Sequence, residues 1–139
     1  MLMDVLEEVS EKHAATLRRL DRVINELSSN PSNVDLQEIV LHYLKSLRRI
    51  RAQLKSATKN ALSEELPEEL SETRFVVGTL SEYFLIVGLE LEELLLRKLV
   101  EISSQGASII ARESERINKD LKEVSALKIV LQSMVEKYY

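Results

Sequence analysis

The chain has 139 residues, enough for one domain with its own core, and a single helical-bundle domain over 1–139 is expected. Three Gly and two Pro leave little of the turn chemistry that β-hairpins need, and the lack of cysteine excludes disulfides, thiolate metal sites and cysteine nucleophiles. A charged fraction of 30% beside 45% hydrophobic residues argues against disorder, and a net charge of −4 argues against indiscriminate binding of nucleic acid.

The first helix is predicted over about residues 3–27. Leu2, Leu6, Val9, His13, Leu17, Leu20, Ile24 and Leu27 recur at steps of three and four and so share one face. His13 falls inside that stripe, which predicts a hydrogen-bonded core histidine. The first thirteen residues, MLMDVLEEVSEKH, are acidic and amphipathic, unlike a basic-then-apolar secretory leader, and a cytoplasmic location is expected.

The segment SSNPSN at 28–33 ends that helix, with Asn33 or Asp35 as the cap of the next. A second helix is predicted over 35–62. Its stripe is Leu36, Val40, Tyr43, Leu47, Ile50, Leu54 and Ala61, so helices one and two should pack as an antiparallel hairpin. Between Glu38 and Glu64 this helix carries no acidic residue, yet it carries Lys45, Arg48, Arg49, Arg51, Lys55 and Lys59. Lys45, Arg48, Lys55 and Lys59 form a stripe opposite Leu36, Leu47 and Leu54, and His42 shares a side with Lys45 and Arg49. His42, Lys45, Arg48, Arg49, Lys55 and Lys59 therefore make a candidate face for phosphate or another polyanion. The plainer reading is a solvated face, paired with the acidic residues of 64–72.

A third helix is predicted over 67–103, with Pro67 in its first turn and acidic residues at the positive end of its dipole. It holds the densest apolar run of the chain. Phe75, Val76, Val77, Leu80, Tyr83, Phe84, Leu85, Ile86 and Val87 cover nearly every direction around the axis, as in a helix buried on all sides or shared with a partner. Phe75, Tyr83, Phe84, Leu91 and Leu95 are the candidate partner interface. Glu82, Glu90, Glu92 and Glu93 interrupt the run and argue against a membrane span. Gly78 and Gly88 suggest close backbone approach or a kink, and a break near Gly88 is one outcome. Gly106 is the natural left-handed cap of this helix. A fourth helix follows over about 108–137, with stripe Ile110, Ile117, Leu121, Val124, Leu131, Met134 and Tyr138. The fold class is thus all-α, an antiparallel bundle of four to five long helices.

Catalytic chemistry finds little support. A carboxylate-bridged di-iron bundle needs Glu-x-x-His, but Ser10 and Ile39 precede the two histidines at that spacing. No Glu-x-x-Asp follows the Glu90–Glu93 pair, and the three glycines are isolated rather than forming a phosphate loop. No catalytic residue, cofactor or metal site is expected, and the chain is not expected to be an enzyme.

Three resemblances refine this. His42, Tyr43, Leu44, Lys45 and Ser46 resemble the phosphorylated-histidine motif of histidine-phosphotransfer domains, with lysine three residues after the histidine and serine where that family usually has glycine. That resemblance implies phosphoryl transfer through His42. The same helix resembles the CHAD domain, which binds polyphosphate through His-x-x-Arg and further arginines; Lys45, Arg48, Arg49 and Arg51 stand one residue out of that register. Arg97, Lys98, Leu99, Val100 and Ile102, then Gly106, then Glu113, Glu115, Ile117 and Leu121, resemble the helical domain of archaeal GINS subunits. That resemblance implies assembly of replication proteins around a helicase. The leading expectation is a non-catalytic helical subunit that docks on a protein partner or on itself as an oligomer, with nucleic acid contacted only indirectly and no membrane. The alternative is a phosphate-handling bundle working through His42 or the basic face.

Overall fold

The computed structural model describes residues 2–64 and 66–139. Six helices and two single-turn variants account for nearly all of them: α1 (Leu2–Ser29), α2 (Val34–Ser63), a 3₁₀ turn (Glu68–Leu70), α3 (Ser71–Tyr83), a π turn (Phe84–Gly88), α4 (Leu89–Ser103), α5 (Ser108–Ala111) and α6 (Ser114–Tyr138). There is no strand among the described residues, and no helix is long and apolar enough to cross a membrane.

Local signals set the boundaries. Asn33 caps α2, its side-chain oxygen accepting from the Leu36 N–H at 2.9 Å. Gly106 sits at φ 106°, the left-handed region that releases the chain from α4. The expected third helix is divided: α3 passes through the π turn at Phe84–Gly88 and continues as α4, so the break falls at Gly88 and just before it. The expected fourth helix is divided too, into the short α5 and the long α6. Gln37 is buried where α5 begins, and its Oε1 accepts from the N–H groups of Ile109 and Ile110 at 2.8 and 3.2 Å. The amide thereby satisfies two donors that a helix start leaves without intrahelical partners.

Four rods make the bundle: α1, α2, the α3–α4 pair and α6. α1 packs against α2 and against α3–α4, and α6 packs against those same two rods. α1 and α6 are therefore diagonal to each other, as are α2 and α3–α4. Direction follows from the ends. Leu2 borders the same groove as Ala61 and Glu64, and the Lys137 ammonium donates to the Ala61 carbonyl at 3.0 Å. The starts of α1 and the ends of α2 and α6 thus lie together, and the Arg74 guanidinium donates to the Lys137 carbonyl there at 3.0 Å. α1 and α2 form the expected antiparallel hairpin, α2 and α6 run parallel, and the chain crosses the diagonal between α2 and α3.

The core is aliphatic. Leu6, Leu17, Leu20, Ile24, Leu44, Leu47, Leu54, Leu95, Leu96 and Leu131 are among its fully buried members, joined by the aromatic rings of Phe84 and Tyr138. The α3 segment departs from expectation. Only Val77, Gly78 and Ser81 are buried in α3, followed by Phe84 and Gly88 in the π turn, while Phe75, Ile86 and Val87 face outward. The run is therefore not the buried axis of the bundle. A corner rod in a four-rod array meets two neighbours, so one side remains uncovered whatever residues occupy it.

Candidate functional site

A layer of ionisable side chains crosses the centre of the bundle, with one member or more from each rod. His13 comes from α1, Arg48 and Arg51 from α2, Glu92 from α4, and Asp120 and Glu123 from α6. His13, Arg51, Glu92 and Asp120 are buried among aliphatic neighbours. The His13 Nε2–H donates to Glu92 Oε1 at 2.7 Å. Facing a carboxylate oxygen, Nε2 is the donor of this bond, and Nδ1 is buried without a hydrogen-bond partner. The other Glu92 oxygen accepts from Arg51 Nη1. Arg51 Nη2 donates to Asp120 Oδ1 and, at 3.0 Å, to Glu123 Oε2. Arg48 closes the layer: its Nε and Nη2 grip Asp120, the shortest contact being 2.9 Å. Arg51 and Glu92 thus reach each other across the diagonal that their backbones do not bridge.

The electrostatics follow from burial. Removing the Arg51 guanidinium from water favours its neutral form, but the charge of Glu92, the hydrogen bond to Glu123 and the charge of Asp120 outweigh that. The guanidinium is held above its ordinary range and stays charged. Such a layer is costly to bury and is only stable when each member is paired. The exception within Arg51 is Nε, buried without a partner.

The π turn shapes the same level. A Cβ on Gly88 would stand 3.3 Å from His13 Cε1 and Nδ1 and 3.3 Å from Phe84 Cδ1. Glycine there lets the backbone approach an imidazole that Glu92 holds in place. His13 and Glu92 are both fully buried, and neither borders the groove between α1 and α2 or the groove between α2 and α6.

The candidate anion face of α2 is split by this arrangement. His42, Lys45, Arg49, Lys55 and Lys59 are exposed, and none makes an ion pair among the described residues. Arg48, expected on that face, is only partly exposed and committed to Asp120, and Arg51 of the same helix is buried. The ring of His42 lies against Tyr43, with centroids 5.8 Å apart. Pairing of the basic face with residues 64–72 is not formed among the described residues; Glu65 and the side chain of Glu68 lie outside them.

The candidate partner interface is corrected in two places. Phe84 and Leu95 are fully buried, because they continue the line Val77–Ser81–Phe84 and Glu92–Leu95–Leu99 that faces the core. Tyr83 and Leu91 are half-buried. Phe75 is exposed, its ring 6.1 Å from that of Tyr139. The remaining exposed apolar side chains of this rod are Ile86, Val87, Leu94 and Val100.

A second feature beside the layer is a groove between α2 and α6, bordered by Arg48, Arg51, Ala52, Lys55, Arg116, Glu123, Ala126, Leu127 and Val130. Among the described residues no group of three or more His, Asp or Glu side chains is placed to hold a metal ion. Comparison of the chain with protein-family models, with curated proteins and with solved structures found no match in any of the three.

Proposed function

We propose that this chain is a non-catalytic helical subunit that docks a protein partner, a second copy included, through the outer side of the α3–α4 rod. The observation that carries the reading is the exposure of Phe75 (59%), Ile86 (59%), Val87 (48%) and Leu94 (51%) along one rod. Single exposed apolar residues are ordinary, but a series of large ones along one helical surface is the usual mark of a docking face. The commitment of Glu92, Asp120 and Glu123 to Arg51 supports the same reading, because each carboxylate of the central layer is already paired. The resemblance of α4 and α6 to archaeal GINS helical domains makes replication assemblies the first class of partner to examine. Size-exclusion chromatography with light scattering tests the proposal. It predicts a mass above that of the monomer or a co-purifying protein, either one lost in Ile86→Glu/Leu94→Glu. A clean monomer at high concentration without a co-purifying protein contradicts it.

A second reading has its own observation: His42, Lys45 and Arg49 are exposed together on α2 without carboxylate partners among the described residues. We propose phosphoryl acceptance at His42 as the alternative function. Incubation with acetyl phosphate followed by mass spectrometry tests it; an unmodified His42 rules it out.

A further inference from the structure

The groove between α2 and α6 has a volume of about 320 Å³ and two chemically distinct parts. Ala52, Ala126, Leu127 and Val130 give it an apolar lining; Arg48, Arg51, Lys55 and Arg116 give it positive charge; Glu123 is its one carboxylate. Ala52 and Ala126 place only methyl groups on its exposed border.

The charges do not cancel. Four cations border the groove, and against them stand Glu123 in its wall and Asp120 and Glu92 behind Arg51. One positive charge is left over. Its bearers are identifiable. Lys55 makes no ion pair among the described residues, and Arg116 reaches Glu123 only at 3.9 Å, too far for a hydrogen bond. Arg48 uses Nε and Nη2 on Asp120 and leaves Nη1 uncommitted. Arg51 is 3% exposed, and its Nε has no partner. A partly enclosed slot that combines an apolar lining with a few cations is the usual form of a site for a small amphiphilic anion.

We propose that this groove binds one small organic anion, a carboxylate or phosphate head on a short apolar body. The head lies among Arg48, Lys55 and Arg116, and the body lies along Ala126, Leu127 and Val130. The site goes beyond the docking role of α3–α4, which is on another rod, and it rests on no part of the His42 reading. An extended polyanion leaves the apolar lining unused, whereas a fatty carboxylate uses both parts.

Isothermal titration of the full chain with octanoate, octanol and inorganic phosphate tests the assignment. Octanoate is expected to bind at one site, with octanol and phosphate each weaker by about tenfold or more, since each lacks one of the two contacts. Ala126→Leu, which fills the slot from an exposed position, and Lys55→Ala, which removes an unpaired surface cation, should each weaken octanoate by about tenfold. Both variants should keep the wild-type melting curve. Absence of octanoate binding overturns the proposal. So does equal binding of octanol or phosphate, or unchanged octanoate affinity in either variant.

Discussion

Arg51→Ala is the most severe single perturbation of the charge layer. Among the described residues Arg51 is the only cation that touches Glu92, Asp120 and Glu123 together. Its loss leaves Glu92, fully buried, with the His13 N–H as its sole hydrogen-bond donor, and leaves Asp120 to Arg48 alone. Glu123 is 39% exposed in its side chain and can turn to water; Glu92 cannot. Removing one partner from a buried pair typically costs about 3–5 kcal/mol, because an uncompensated charge stays in the core. For a domain of this size that lowers the melting temperature by on the order of 10–20 °C. Urea unfolding followed by far-UV circular dichroism measures it, the chain having no tryptophan. The double variant Arg51→Met/Glu92→Leu removes the unbalanced charge as well and should recover a large part of the loss. If Arg51→Ala costs less than about 1 kcal/mol, the value of a hydrated surface pair, the layer is not the dry, paired structure described.

The other predictions concern backbone approach, a buried amide and acid. Gly78→Ala places a Cβ 3.0 Å from the Tyr138 carbonyl oxygen, a backbone atom with little freedom to yield. It should cost about 1–3 kcal/mol despite the higher helix propensity of alanine, read by urea unfolding. Gln37→Leu removes the acceptor of the Ile109 and Ile110 N–H groups and should cost about 1–3 kcal/mol, with faster hydrogen exchange at those two amides. Glu93 accepts from Lys128 and Arg97, in that order of effect, which holds its carboxyl below the ordinary glutamate value of 4.5. The unfolded chain therefore takes up that proton first as pH falls. The contribution is full above 4.5 and is lost as pH drops through the folded-state value below it. The stability gap between the protein and Glu93→Gln should accordingly shrink in acid, and a gap that widens there contradicts the pairing.

Much of the fold was legible because the sequence repeats apolar residues every three to four positions, and burial of one stripe per helix leaves few architectures. The Asn33 cap and the Gly106 turn were legible for the same local reasons. The charge layer was not, although its traces are present. His13 lies on the predicted stripe of its helix and is the hydrogen-bonded core histidine expected there, whereas Arg51, Glu92 and Asp120 lie on buried lines that the predicted stripes pass beside. For α2 the buried line runs Leu44, Leu47, Arg51 and Leu54, yet the sequence also offers Tyr43 and Ile50 one step away, and the arginine reads as part of a solvated run. For α6 the line passes from Ile117 through Asp120 to Val124, with Leu121 as an apolar neighbour that draws the stripe off it. Only pairing between helices distant in sequence distinguishes a buried charge from an exposed one, and periodicity within one helix does not carry that information. The outward Ile86 and Val87 escaped for a related reason: composition says how apolar a helix is, whereas neighbours decide how much of it is covered.

We propose that the outer side of α3–α4 docks a protein partner or a second copy of the chain. Native mass spectrometry of the protein purified from its source, beside the Ile86→Glu/Leu94→Glu variant expressed in the same way, tests it most directly because mass and stoichiometry are read together. The account predicts a defined assembly, with a second copy or a partner at fixed ratio, for the unaltered chain and a lone monomer for the variant. A monomer in both preparations, or the same assembly in both, contradicts it.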